Sequence, residues 1–333
     1  MTNFHVETGG KLYIAGEYSI LKAGQVAVLK NIPIKLSAII DSSEQFHISS
    51  DMFDYSTDLT PDANYRLIQA SIETVALLLG KDSTSLRPFD LSITGKLERN
   101  GKKFGIGSSG SVTVLTIKAL AAFYHIHLSN DLLFKLSAYT LLKLGDNGSM
   151  GDIACIAYNQ TIAYWSFDRK VITQKIHEMT FEQAIKLDWG YKIEVILPKL
   201  PCFFMVGWTG HPSISKDMVN KVINQIDRAF LENTQEATLA VIEALKLGNK
   251  SQFVTALKRA DQSLEALSSA IYTEDLTSLR QASDDLEVVA KSSGSGGGDC
   301  GIAFAFTEAD SQVLKERWSK EAIQLIYHER LGE

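Results

Sequence analysis

Residues 111–125, SVTVLTIKALAAFYH, carry one charge, Lys118. A helix that is apolar on almost every face has no solvated side, so it must lie inside the molecule, covered by other elements. It is too short to span a bilayer, and Lys118 interrupts it. The chain arrives at its start through GIGSSG, residues 105–110. Whatever that loop does is therefore done where a buried helix begins.

The loop fits two familiar patterns and satisfies neither. Gly105, Gly107 and Gly110 have the G-x-G-x-x-G spacing of a dinucleotide fingerprint. That unit needs an apolar strand running into the first glycine and an acidic residue closing a second strand about 20 residues on. Here the approach is the charge-rich KLERNGKKF, and Asp131, at the right spacing, sits in the helix start HLSNDLLF. Gly105 and Gly110 also match the outer glycines of a P-loop, but Ser111 and Val112 stand where Lys and Ser/Thr belong. What survives is the general mechanism. Glycines let backbone approach an anion, and a helix start offers unpaired N–H groups and the positive end of its dipole. Ser108, Ser109 and Ser111 add hydroxyls. Taken alone, the loop reads equally as a glycine-rich turn with a serine cap.

Two further glycine clusters accompany it. GDNGSMGDIAC (145–155) sets Asp146 and Asp152 among glycines just before an apolar run. KSSGSGGGDCGIAF (291–304) lies between a helical pattern and an apolar strand, which is not the setting of a linker, and reads as a place of close approach. Asp299 within it is either a ligand contact or a turn cap. Cys300 reads as a packing residue.

Around these loops the pattern is strand-rich at first (KLYIAGEY, QVAVLKN, IPIKLSAII, QFHISS, FDLSITGKL), with helices over 62–80, 111–125 and 129–144. CIAYNQTIAYWSF reads as a strand pair, and YKIEVILPKLPCFFMVGWTG as two strands. Helices follow over 215–231, 234–247, 249–268 and 274–291, then a strand, a helix over 309–320 and a last strand AIQLIYHE. This order implies an α+β protein in two domains, as the length of 333 residues does. A net charge of −6 argues against nucleic-acid or anionic-membrane partners. Three cysteines without short spacing exclude a disulfide framework. With no signal-peptide pattern in MTNFHVETGG, the expected location is cytoplasmic.

GKLYIAGEYSIL (10–21), GIGSSGS (105–111) with GSMGDIA (148–154), and SGSGGGDCGIA (293–303) resemble, in order and spacing, the signature regions of the GHMP kinase superfamily. The resemblance spans nearly the whole chain. It is strongest to the bacterial phosphomevalonate kinases, because residues 16–18 read GEY where mevalonate kinases read GEH, and the third loop ends GGGDCGIA.

The resemblance implies a two-domain α+β fold with the site between the domains. Residues 1–190 would form a mixed α/β, ribosomal protein S5 domain 2-like unit that binds ATP through loop 105–111. Residues 191–333 would form a ferredoxin-like α+β unit carrying loop 293–298. The implied reaction transfers the ATP γ-phosphoryl group to the phosphate of 5-phosphomevalonate, with mevalonate kinase or another small-molecule kinase of the superfamily as the alternative. ATP and Mg²⁺ are the implied cofactors, and the oligomeric state stays open between monomer and homodimer.

Residue by residue, Lys11 and Asp152 match the catalytic pair. Gly105, Gly107, Ser108, Ser109, Gly110 and Ser111 match the ATP loop, with Ser109 as the Mg²⁺ contact and Ser108 second. Ser149, Ser293 and Ser295, with Lys11 and Asp152, match the acceptor site. Ser215, in WTGHPSISKD (208–217), is either a further acceptor contact or part of a loop and helix cap. Glu17 reads as a structural tie within the first motif, and Lys102 and Lys103 as nucleotide contacts or solvated turn residues. One departure stands out: SAYTLLKLGDN, ahead of Asp152, lacks the glutamate that several superfamily members use on Mg²⁺. The second metal ligand is left open, with water as a candidate.

Overall fold

The computed structural model describes residues 3–95, 97–99 and 101–332. The first half runs through β1 (Phe4–Ala15), β2 (Val26–Ser42), β3 (His47–Ser50), α1 (Arg66–Leu78), β4 (Phe89–Thr94), β5 (Glu98–Arg99) and β6 (Lys102–Lys103). It continues with α2 (Ser108–Phe123), α3 (Asn130–Lys143), α4 (Gly151–Tyr158), β7 (Ile162–Trp165), α5 (Arg169–Glu178), α6 (Phe181–Lys186) and β8 (Lys192–Val195). The second half contains β9 (Cys202–Trp208), α7 (Ser215–Val222), α8 (Arg228–Leu247), α9 (Lys250–Leu267) and α10 (Glu274–Gln281). It ends with β10 (Val288–Ser292), β11 (Cys300–Ala305), α11 (Glu308–Lys320) and β12 (Gln324–Leu331).

The first sheet has the order β3-β4-β2-β7-β8, with β1 added on β2. Only β3 and β4 pair in parallel; the other pairs are antiparallel. β2 passes through Pro33 unbroken because the β1–β2 register shifts there, between Thr8↔Leu36 and Gly10↔Ile32, where a missing N–H is tolerated. α2 packs against α1, α3, α4, β1 and β2. Val114, Leu115, Ile117, Leu120 and Phe123 are fully buried, as a helix with one charge requires. Lys118 escapes by reaching the Glu7 carbonyl at 2.6 Å.

The second sheet is antiparallel in the order β10-β11-β9-β12, with α10 and α11 against it around Leu279, Leu314 and Trp318. Strand–helix–strand–strand–helix–strand in this order is the ferredoxin-like arrangement that the resemblance implied. α8 also packs on β1 and β2, so one apolar core runs through both halves. The first sheet ends with β8, a few residues past the division expected at 190.

Several local expectations are corrected. The first arm of CIAYNQTIAYWSF is not a strand but the end of α4, entered through Met150 and left through Asn159, both in left-handed backbone. A short apolar run does not distinguish a buried strand from a buried helix. The helix expected over 274–291 stops at Gln281, because Ser283–Asp285 turn the chain into β10. The helix expected over 215–231 breaks, and Asp227 caps a new one by accepting from Phe230 N at 2.7 Å. α5 and α6 had no expected counterpart. Lys96, within the strand pattern FDLSITGKL, lies outside the described residues.

Candidate active site

One pocket is lined by Gly105, just ahead of α2, and another by Ser108 and Ser109 at its start. Gly107 opens the helix with φ +88°, a conformation that favours glycine, and the helix begins at Ser108 rather than at 111 as expected. The N–H groups of Ser108, Ser109 and Gly110 therefore have no intrahelical partner and point out of the helix end. Ser111 is the exception among the loop residues expected to hold ATP. It is buried, its N–H donates to Gly107 O, and its hydroxyl donates to Gly9 O and Gly107 O, all at 3.0 Å. It anchors the loop on β1 and has no donor left for a ligand.

β1 brings Lys11 to the same place. Lys11 N donates to Ile106 O at 2.9 Å, and its ammonium lies 5.2 Å from the Tyr13 ring centre. A Cβ on Gly107 would come within 3.0 Å of Lys11 Cε, and one on Gly110 within 3.2 Å of Asp152 Oδ2. Lys11 and Asp152 thus both abut the loop although they lie far apart in sequence. Asp152 stands in the first turn of α4 and accepts from Ile153 N at 2.9 Å. Burial raises its pKa; Lys11 opposes that rise and Asp146 adds to it.

The pocket between the sheets is lined by Lys11, Asp152, Ser149, Ser215, Ser293 and Ser295, together with Tyr13, Glu17, Gly105 and Asp299. All the residues expected at the acceptor meet there. Ser149 shares a 2.9 Å hydrogen bond with the Tyr13 hydroxyl. Ser293 donates to Tyr13 O at 2.8 Å, the Tyr18 hydroxyl donates to Ser295 O at 2.5 Å, and Ser295 donates to Ser215 Oγ at 3.3 Å. Beneath these contacts the Lys291 ammonium forms an ion pair with Glu17. Glu17 therefore ties the first motif to the second sheet, and not merely to nearby backbone. Lys291 has no sequence signal beyond its place beside the third loop. Cys300 is buried, with a thiol pKa pushed up by burial, which agrees with a packing role.

Asp299 sits in left-handed backbone at φ 56°, is 6% exposed, and is pushed up to about 6 by burial, with Ser213 N and Lys11 pulling the other way. A carboxyl raised in the folded state contributes stability that is full below about pH 4 and is lost as pH rises through 6. Between pH 4 and 7, Asp299→Asn is accordingly expected to gain roughly 3 kcal/mol on the wild type. Urea unfolding of both proteins across that range measures it; a constant difference would contradict it.

The second pocket, on the other side of the α2 start, is lined by Leu36, Met52, Phe53, Leu67, Ile68 and Leu97, with Lys103, Ser108 and Ser109 at its polar end. Its apolar walls come from separate elements, so sequence reasoning missed them, whereas Ser108, Ser109 and Lys103 were among the residues expected near the nucleotide. The one hint was Met52, an apolar residue in a polar stretch, which stays 42% exposed.

The sequence signature described as GHMP kinases N terminal domain matches residues 67–160, and that of GHMP kinases C terminal matches 241–324. A phosphomevalonate kinase of Streptomyces sp. (strain CL190) is 30% identical, over 94% of this chain and 93% of that protein. The structure of Streptococcus pneumoniae phosphomevalonate kinase in complex with phosphomevalonate and AMPPNP superposes with a TM-score of 0.96 at 46% identity, covering 98% of this chain and 100% of that one. The mevalonate kinase of Methanococcus jannaschii shares the fold at TM-score 0.75 and 19% identity, with 99% of each chain covered.

Proposed function

The chain belongs to the GHMP kinases, and from that membership and the geometry of the two pockets we propose how its residues carry out the reaction. The reaction is transfer of the γ-phosphoryl group of ATP to the phosphate of 5-phosphomevalonate, giving 5-diphosphomevalonate and ADP in the mevalonate route to isoprenoids. The observation that carries the residue roles is the placement of Lys11 and Asp152 against Gly107 and Gly110 of the phosphate loop.

In this reading the apolar pocket takes the adenine. The phosphates then run past the N–H groups of Ser108, Ser109 and Gly110, where the start of α2 favours negative charge. The acceptor lies between the sheets against Ser149, Ser215, Ser293 and Ser295. Its nucleophile is a phosphate monoester oxygen with a second pKa of about 6, already mostly ionised at pH 7. A general base has little to remove; bringing two anions together is the harder task. Lys11 answers it with a fixed ammonium held by β1. Asp152 orients Lys11 and the acceptor.

Mg²⁺ fits this site. The cleft offers serine hydroxyls and the Asp152 carboxyl rather than a full protein cage, and Mg²⁺ characteristically takes one or two protein oxygens beside substrate phosphates. The Ser109 hydroxyl would hold it, with Ser108 adjacent. When bound, the cation screens the charge of the β- and γ-phosphates. The same proposal places the ATP-binding unit in residues 1–190, the C-terminal unit in 191–333, and the enzyme in the cytoplasm. No helix among the described residues is long and apolar enough to cross a membrane.

The test is ADP release by the purified protein with ATP, Mg²⁺ and either mevalonate or 5-phosphomevalonate. Turnover on 5-phosphomevalonate and not on mevalonate is expected. Turnover on mevalonate alone would move the reaction to the alcohol, where Asp152 would be needed as a base.

A further inference from the structure

Asp299 is placed with more care than a turn cap needs. Its N–H donates to His211 O at 2.8 Å, and its carbonyl accepts from Thr209 N at 2.9 Å and from Thr209 Oγ1 at 3.0 Å. Oδ1 accepts from Ser213 N at 3.0 Å. Those four bonds fix the residue on the loop that leads to Ser215. Oδ2 is left with no hydrogen bond among the described residues, and it faces the phosphate loop. A Cβ on Gly105 would lie 2.3 Å from that oxygen and 2.2 Å from Asp299 Cγ. The carboxyl cannot swing away, and it lines the pocket that also holds Lys11 and Asp152.

A buried carboxylate aimed at a polyphosphate site is a contradiction unless something positive stands between them. Lys11 pulls down the pKa of both Asp299 and Asp152, so its single positive charge is shared between two carboxyls. The chain also lacks a glutamate on α3, the helix ahead of Asp152, so a protein carboxylate ligand for the nucleotide's metal ion is missing from that side.

We propose that Asp299 Oδ2 is a carboxylate ligand of the divalent cation bound with ATP. Its Oδ1 meanwhile keeps the loop over the acceptor closed on Ser213. Mg²⁺ sites of this kind use one or two carboxylates plus substrate phosphates, which is the donor set this gives. The third glycine loop then does two things: Ser293 and Ser295 face the acceptor, and Asp299 at its far end faces the nucleotide. The inference rests on the kinase reading of the site.

Asp299→Asn isolates the charge, because an asparagine oxygen still accepts from Ser213 N. The probe is Mn²⁺, titrated into protein saturated with ATP and followed by electron paramagnetic resonance. ATP binding is measured separately by calorimetry in EDTA. The variant is expected to bind Mn²⁺ at least ~10-fold more weakly in the ternary complex. It is also expected to bind metal-free ATP more tightly than the wild type, since a negative charge beside the phosphates is gone. A residue that only anchors the loop predicts neither effect. Unchanged Mn²⁺ affinity overturns the proposal, and so does a loss of affinity that is the same with and without metal. If the wild-type chain binds no ATP under either condition, the kinase reading itself has failed, and the two failures are told apart.

Discussion

Lys11→Met is expected to lower kcat on 5-phosphomevalonate by at least ~100-fold, the range for losing one preorganised electrostatic contact in a site. Lys11 is only 9% exposed, and its backbone is fixed by the bond from Lys11 N to Ile106 O. Its charge therefore acts at full strength where two phosphate groups approach, and water cannot replace it. Methionine keeps the packing volume against Tyr13 and Gly107, so a loss of activity reports charge and not shape. A second signature follows from Asp152. Lys11 opposes the rise of its pKa, so removing the ammonium pushes that carboxyl higher still. Steady-state rates across pH for Lys11→Met and Asp152→Asn measure both effects. An Asp152→Asn enzyme far more damaged than the Lys11→Met one would falsify the charge-dominated mechanism and restore Asp152 as a base.

Lys291→Met is expected to have the largest effect on stability, roughly 3–5 kcal/mol, because it strands a buried carboxylate. Glu17 is 3% exposed and Lys291 is fully buried, and their ion pair joins the turn after β1 to β10. The double variant Glu17→Gln/Lys291→Met removes both charges and is expected to recover most of the loss, since a neutral pair can replace a buried ionic one at little net cost. Urea unfolding of the wild type, the two singles and the double variant closes the cycle. If the double variant is as unstable as the two losses added, the pair is not coupled and the latch does not exist as described. The single variant should also raise KM for the acceptor, because Ser293 and Ser295 hang from the strand that Lys291 anchors.

Much of this molecule was legible as text. The single charge in 111–125 required a buried helix, and α2 is covered on all sides. The glycines of GIGSSG belong at the start of that helix because positive φ and close approach exclude side chains there, and Gly105 and Gly107 meet Asp299 and Lys11 directly. The resemblance of four short stretches supplied the site's membership, and Lys11, Asp152, Ser149, Ser215, Ser293 and Ser295 do share one pocket. Where sequence reading erred, periodicity had too little length to work with. CIAY, the end of α4, reads as a strand because so short an apolar run satisfies both patterns. Ser111 was taken for a phosphate contact because a hydroxyl's partner is set by where a helix begins, and that differed by three residues.

The sequence by itself supplied the candidates for the catalytic centre: a lysine on the first strand, an aspartate opening a helix, and glycine–serine loops that backbone sterics and helix ends make fit for phosphate. Only the tertiary structure decided what closes that centre. The apolar pocket is assembled from residues of β2, the Met52 loop, α1 and α2. The Glu17–Lys291 pair and the aim of Asp299 at Gly105 both cross from one sheet to the other. Local propensities act over a few residues, whereas a buried charge or an apolar pocket wall takes its meaning from neighbours that the fold alone brings within a few ångströms.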